Sequence, residues 1–188
     1  TKTPQLIAAT LFYALHSAIT QAVDVQPPNA HNNVYFGDVH VHTSWSFDGF
    51  TNGSKTTPMD AYAWAQGKPI TGSGGPEMQI KTPLDFYMVA DHAEYMGVFN
   101  QMANPDSPLS KTELAKGVTS PDANVRIQTF AGVLRDMSAG KRDPQLSDPL
   151  LAGSVWAEIV KAADANYTPG KFTTFAGFEW TANPQQRN

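Results

Sequence analysis

The sequence predicts an α/β fold whose parallel strands end in metal-binding side chains. Short apolar runs alternate with segments of helical periodicity, which implies right-handed βαβ crossovers and a parallel sheet. Three of these apolar runs stop at potential ligands: His40 and His42, then Asp91 and His92, then Glu179. In parallel α/β folds the C-terminal strand ends share one edge, and active sites form there. His40, His42, Asp48, His92 and Glu179 are therefore expected on one rim, with Asp91 beside His92 as a further catalytic candidate.

Composition narrows the chemistry. At 188 residues, 41% hydrophobic and 16% charged, the chain suits one globular domain with a sizeable core. A net charge of −4 with no basic run argues against nucleic-acid binding through a positive patch. Cysteine is absent, which excludes disulfides, thiolate zinc sites and cysteine nucleophiles. Any metal must be held by His, Asp and Glu.

Residues 1–22 have Lys2 ahead of an apolar run from Leu6 to Ile19 and a small-residue end, the pattern of a secretory signal peptide. That reading places the protein in the periplasm or outside the cell; without it the protein is cytoplasmic. The alternative is an amphipathic helix packed on the domain with His16 on its polar side. The run is too short for a stable membrane span, which needs ~20 residues. Residues 23–33, with a Pro pair and His31, read as a linker, and residues 34–188 as the domain.

Val34–His40 is expected as the first strand, followed by a Ser-, Asp- and Gly-rich turn carrying Asp48 and a loop to Thr57. Thr57-Pro58-Met59-Asp60 carries a cap residue, Pro at the first helical position and an early acid, which starts a helix over 58–66 that stops at Gly67. Residues 68–81 contain TGSGGPE, a turn or hairpin without the Lys-Ser/Thr of a P-loop. Leu84–Ala90 is apolar and nearly continuous, as buried parallel strands are. A helix is expected over 94–102, a polar excursion over 104–121, and a helix over 122–139 with Val125, Phe130, Val133, Leu134 and Met137 on one side. After a loop, Asp148-Pro149 starts a helix to Asn166 with Leu151, Val155, Ile159 and Ala162 inward. Phe172–Phe178 is the third strand, followed by a polar tail.

Residues two apart on a strand point the same way, so His40 and His42 can aim both imidazoles at one point. Each signal alone has a plain structural reading: a histidine pair, a turn-forming aspartate, a hydrogen-bonded core histidine. Together they point to a metal site.

GDVHVHTSWSFDG, then VADHAEY, then AGFEW resembles the PHP (polymerase and histidinol phosphatase) superfamily, closest to a largely uncharacterised bacterial branch. The resemblance runs from Tyr35 to about Thr181. It implies a distorted (β/α) barrel, here a partial one, with two or three divalent ions of Zn, Mn or Fe. It further implies His40, His42, Asp48, His92 and Glu179 as ligands, with Asp91 orienting an imidazole. Glu94 either borders the pocket or caps a helix. The chain departs from that pattern in having no His after His92, and three βα units do not close a barrel of ~250 residues. It therefore reads as the N-terminal part of a longer protein, with Arg187 and Asn188 either opening a further motif or forming a tail.

The expected activity is hydrolysis by a metal-activated water, most simply of a small phosphorylated substrate. Two rivals remain: a metal-dependent hydrolase of C–N or C–O bonds, and a truncated, non-catalytic metal-binding domain.

Overall fold

The computed structural model describes residues 33–181, apart from 73, 74 and 142. The expected signal peptide, the linker up to residue 32, His16, His31, Arg187 and Asn188 lie outside the described residues. The chain divides into two units, Thr1–Val34 and Tyr35–Asn188, and the second holds the elements below.

Three short strands make a parallel sheet: β1 (Gly37–Val41), β4 (Phe86–Val89) and β5 (Thr173–Ala176), with β4 in the middle. β2 (Ile70–Thr71) and β3 (Glu77–Met78) form a separate antiparallel pair. The expected α/β class with parallel strands is present; the described strands form an open sheet.

The strands are shorter than the apolar runs that announce them. Val34, Tyr35 and Phe36 are exposed and precede β1. The ladder starts where Phe36 and Asp85 bond each other: the Phe36 amide donates to the Asp85 carboxylate and the Asp85 amide to the Phe36 carbonyl, both 2.7 Å. β1 then spends one residue more than β4. Asp38 lies opposite Tyr87 and Val41 opposite Val89, so a bulge falls between them. The Asp38 carboxylate accepts from the His40 amide there, 2.9 Å.

Tyr87 and Val89 project to one face, which α2 (Pro58–Ala65) and α6 (Pro149–Asn166) cover; Tyr62, Ala65, Ala162, Ala163 and Phe172 complete that core. α2 starts as its sequence predicts: the Thr57 side chain accepts from the Asp60 amide and the Asp60 side chain from the Thr57 amide, a capping box. Asp148 caps α6. Phe175 pairs with Met88, so both lie on the opposite face, where Phe175 is 46% exposed.

Four helices pack beside this layer: α1 (Phe47–Thr51), α3 (Val98–Met102), α4 (Glu113–Val118) and α5 (Ala123–Ser138). Phe47, Phe99, Met102, Val118 and Val133 form their shared core. Three sequence expectations change here. The 104–121 excursion contains α4, capped by Thr112, and a 3-10 turn at Pro108–Lys111. The helix expected from Glu94 starts at Val98, because Tyr95 (φ 55°) and Gly97 (φ 72°) are left-handed, which a right-handed helix does not accommodate. On α5, Val125 and Leu134 are exposed, and the inward side is Phe130, Val133 and Met137. Among the described residues no helix is long and apolar enough to cross a membrane.

Tyr62 is fully buried, and its hydroxyl donates to the Phe175 carbonyl (2.9 Å) while accepting from the Val89 amide (3.3 Å). One side chain of α2 thus clips β4 to β5. Tyr62→Phe leaves the Val89 amide and the Phe175 carbonyl their ladder bond to each other and removes only the bonds of the hydroxyl, and we expect a loss of about 0.5–1.5 kcal/mol. Urea unfolding checks this: the midpoint falls while the slope stays unchanged.

Candidate metal centre

The register brings the candidate residues together. Val41, Val89 and Ala176 lie side by side. His92 and Glu179 each come three residues after their member of that row and pair in an isolated parallel bridge. The Glu179 amide donates to the Asp91 carbonyl (3.0 Å) and the Ala93 amide to the Glu179 carbonyl (2.9 Å). His40 and His42 stand on the same side with rings stacked, centroids 5.2 Å apart.

Five predicted ligands meet in this space. His40 Nε2 and His42 Nε2 lie 2.9 and 2.8 Å from the same Glu179 oxygen, Oε2. His42 Nδ1 lies 2.9 Å from Asp48 Oδ2 and 3.1 Å from Oδ1. His92 Nε2 sits 3.7 Å from both Asp48 Oδ2 and Glu179 Oε2. The donors fall into two sets that share His42: His40, His42 and Glu179, and His42, Asp48 and His92.

Asp48 is placed differently from the expected turn. It sits in the first turn of α1, a helix of only five residues. Its Oδ1 accepts from the Ser46 hydroxyl and from the Gly49 amide (2.6 Å). Position 49 has to be glycine, since a Cβ there would collide with the Thr43 carbonyl. Phe47, between Ser46 and Asp48, packs edge-on against His92 with centroids 4.8 Å apart and forms the apolar wall of the site.

Asp91 also acts elsewhere than expected. It is fully buried and holds a threonine, where an imidazole was expected: the Thr43 amide donates to Oδ1 (2.5 Å) and the Thr43 hydroxyl to Oδ2 (2.7 Å). Glu94 caps no helix. It stands in the turn before α3, with Oε2 3.8 Å from His92 Nδ1. Three further residues serve the site without a motif to announce them. Thr43 ties the end of β1 to Asp91. Ser46 bonds Asp48 and accepts from the His92 amide (3.2 Å). The Thr181 hydroxyl lies 2.8 Å from His92 Nδ1.

The electrostatics favour a cation. Among the described residues no lysine or arginine pairs with Asp48, Asp91 or Glu179. Burial works to raise Asp48, but the hydrogen bonds from His42 and Ser46, the His42 charge and the Gly49 amide outweigh it and hold the carboxyl far below the usual range. Burial likewise opposes the lowering of Glu179, which the hydrogen bond from His40 and the three imidazole charges bring about. His42 is raised, chiefly by its hydrogen bond to Asp48, against burial. Burial pushes Asp91 up to about 6, against the two Thr43 hydrogen bonds. The donor set passes a test of fit for a divalent ion. His42 Nε2 is buried and makes no hydrogen bond, although Glu179 Oε2 is 2.8 Å away. A ring nitrogen aimed at a shared point and lacking a proton partner suits coordination, and imidazole with carboxylate is a common donor set for Zn, Fe and Mn.

The fold and site therefore define an α/β chain with His, Asp and Glu side chains converging at the ends of parallel strands. A family model described as "Protein of unknown function (DUF3604)" matches residues 29–188, and the chain belongs to that family. No curated protein and no solved structure matches it.

The His42–Asp48 pair gives the metal-free protein a defined pH dependence. His42 is raised, so its contribution is full below its ordinary 6.5 and is lost as pH rises through the folded value. Asp48 is lowered, so its contribution is full above its ordinary 3.8 and is lost as pH falls through the folded value. In EDTA we expect stability from this pair to be greatest between those two values and to decline on the alkaline side. In Asp48→Asn that alkaline decline flattens. Urea titrations at a series of pH values check it, and equal slopes in both proteins would count against the pairing.

Proposed function

We propose that residues 34–188 belong to a metal-dependent hydrolase domain of the PHP type, acting as a phosphoesterase. One observation carries the reading: two imidazole nitrogens lie within 2.9 Å of one carboxylate oxygen that comes from a strand end far away in sequence. The parallel sheet, helix-covered on one face and open on the other, supports its being a segment of a distorted (β/α) barrel.

In this reading His40, His42 and Glu179 hold one cation, and Asp48 and His92 stand beside it as donors for a second. A bound divalent ion supplies Lewis acidity and lowers the pKa of water from 15.7 to about 7. The chain's own groups prepare the site. Asp48 accepts from His42 Nδ1 and so leaves Nε2 as the free donor. Asp91 and Thr43 fix the backbone between the histidines and Asp48. Phe47 shields His92 from water. Hydrolysis then needs no protein nucleophile, which suits a chain without cysteine. Exposed carboxylates such as Asp38 and the acidic net charge would repel an anionic substrate, and the cations would offset that locally. If residues 1–22 direct export, the substrate is met in the periplasm or outside the cell.

The second reading, a metal-binding domain without catalysis, has its own observation. The His40 side chain is 66% exposed, so the described residues leave that ligand open on one side.

We expect the protein to retain zinc or manganese after dialysis, to hydrolyse p-nitrophenyl phosphate, and to lose activity with a chelator. His40→Ala should lower activity at least ~100-fold together with the metal content, measured by elemental analysis. Retained metal with no turnover of phosphate esters, amides or carboxylic esters would favour the non-catalytic reading. Turnover of amides or esters alone would favour the C–N or C–O hydrolase.

A further inference from the structure

The two ring nitrogens of His92 face different surroundings. Nε2 looks toward Asp48 Oδ2 and Glu179 Oε2, 3.7 Å from each. Nδ1 looks toward the Thr181 hydroxyl at 2.8 Å and Glu94 Oε2 at 3.8 Å. Glu94 Oε2 is buried and has no hydrogen-bond partner. An unpaired buried carboxylate oxygen is unfavourable, and such atoms call for a physical reason.

The backbone keeps Glu94 there. The turn after His92 passes through left-handed conformations at Tyr95 (φ 55°) and Gly97 (φ 72°), and the Gly97 amide is tied to the Trp45 carbonyl at 2.7 Å. Left-handed backbone is unfavourable for tyrosine. A Cβ on Gly97 would also press on Val155 of α6. The turn is thus locked between the Trp45 loop and α6, and it sets Glu94 against the ring of His92.

We propose that Glu94 is a positioning residue that sets the tautomer of His92, keeping the ring proton on Nδ1 so that Nε2 offers its lone pair to a cation. The inference rests on the metal-site reading above. Thr181 alone does not decide the tautomer, because a hydroxyl donates or accepts equally well. If it donates to Nδ1, the proton sits on Nε2 and His92 is no ligand. An ionised carboxylate only accepts, and its negative charge favours Nδ1–H. Thr181 then accepts from Nδ1, and Glu94 supplies the bias.

The test reads the tautomer directly. In metal-free, 15N-labelled protein at a pH where the imidazole is neutral, long-range proton–nitrogen correlation distinguishes Nδ1–H from Nε2–H. The wild type should show His92 as Nδ1–H. Glu94→Gln, which keeps the shape and removes the charge, should move a large fraction to Nε2–H, and zinc affinity by chelator competition should fall at least ~10-fold. Thr181→Val should keep the wild-type tautomer. Should Glu94→Gln fail to fold, Glu94→Ala is read in the same way. An unchanged tautomer in the Glu94 variant, or a switch caused by Thr181→Val instead, overturns the proposal. If the tautomer switches as expected but the wild type binds no zinc, the role of Glu94 stands and the metal reading fails.

Discussion

The Asp91 carboxylate, buried between two chain segments, is the interaction on which the site depends. It receives both the amide and the hydroxyl of Thr43. Thr43 follows His42 directly, and Asp91 precedes His92 directly. A single bonded pair therefore fixes the spacing of two of the imidazoles. The backbone of Asp91 then receives the Glu179 amide, so the third strand is set by the same residue. Without that carboxylate the ends of β1 and β4 would keep only their short ladder and the bond from the His92 amide to Ser46. Its desolvation is unfavourable, as its raised pKa reflects, and two strong hydrogen bonds offset part of it.

Above this anchor, the site is a cluster of acids and imidazoles, and among the described residues no lysine or arginine pairs with its carboxylates. The histidines respond to the acids around them. Asp48 and Glu179 are held ionised, and His42 is drawn toward the protonated form. A proton on His42 is a weak substitute for a divalent ion in the same place. Protons would compete with a divalent ion for His42 Nε2, and an ion bound there would release protons. The helical layer of α1, α3, α4 and α5 contributes through Phe47, whose ring touches both its own core and His92. Packing in that layer is thereby coupled to the position of one of the imidazoles.

Much of this was legible in the sequence, for physical reasons. His40 and His42 are two apart, and the strand period forces them to one side. His92 and Glu179 follow apolar runs, and a parallel sheet collects such ends on one edge. The cap residue, Pro and early acid at Thr57–Asp60 are a short-range pattern, and the helix starts there as read. Other features leave little trace. α1 has five residues, too few to show periodicity, so Asp48 reads as a turn residue. Thr43, Ser46 and Thr181 act through hydroxyls, which are common and carry no spacing signal. The start of α3 depends on left-handed backbone at Tyr95, a residue type that does not advertise it. α5 shows apolar periodicity wider than the face it buries, because Val125 and Leu134 are not covered by the helices beside it.

The bulge in β1 has a consequence of parity. Side chains alternate along a strand, so each added residue exchanges the two faces for everything that follows. Counted from Asp38 without the extra residue, His40 would stand opposite Val89 and project with it among the helices of the first core. His42 would turn the same way. The extra residue reverses that assignment and sends both imidazoles to the face on which Glu179 waits. The histidine pair thus owes its orientation to an odd count in one strand. Among relatives of this chain, a one-residue length change between positions 38 and 41 would separate proteins that keep this centre from proteins that cannot assemble it, even where both histidines are retained.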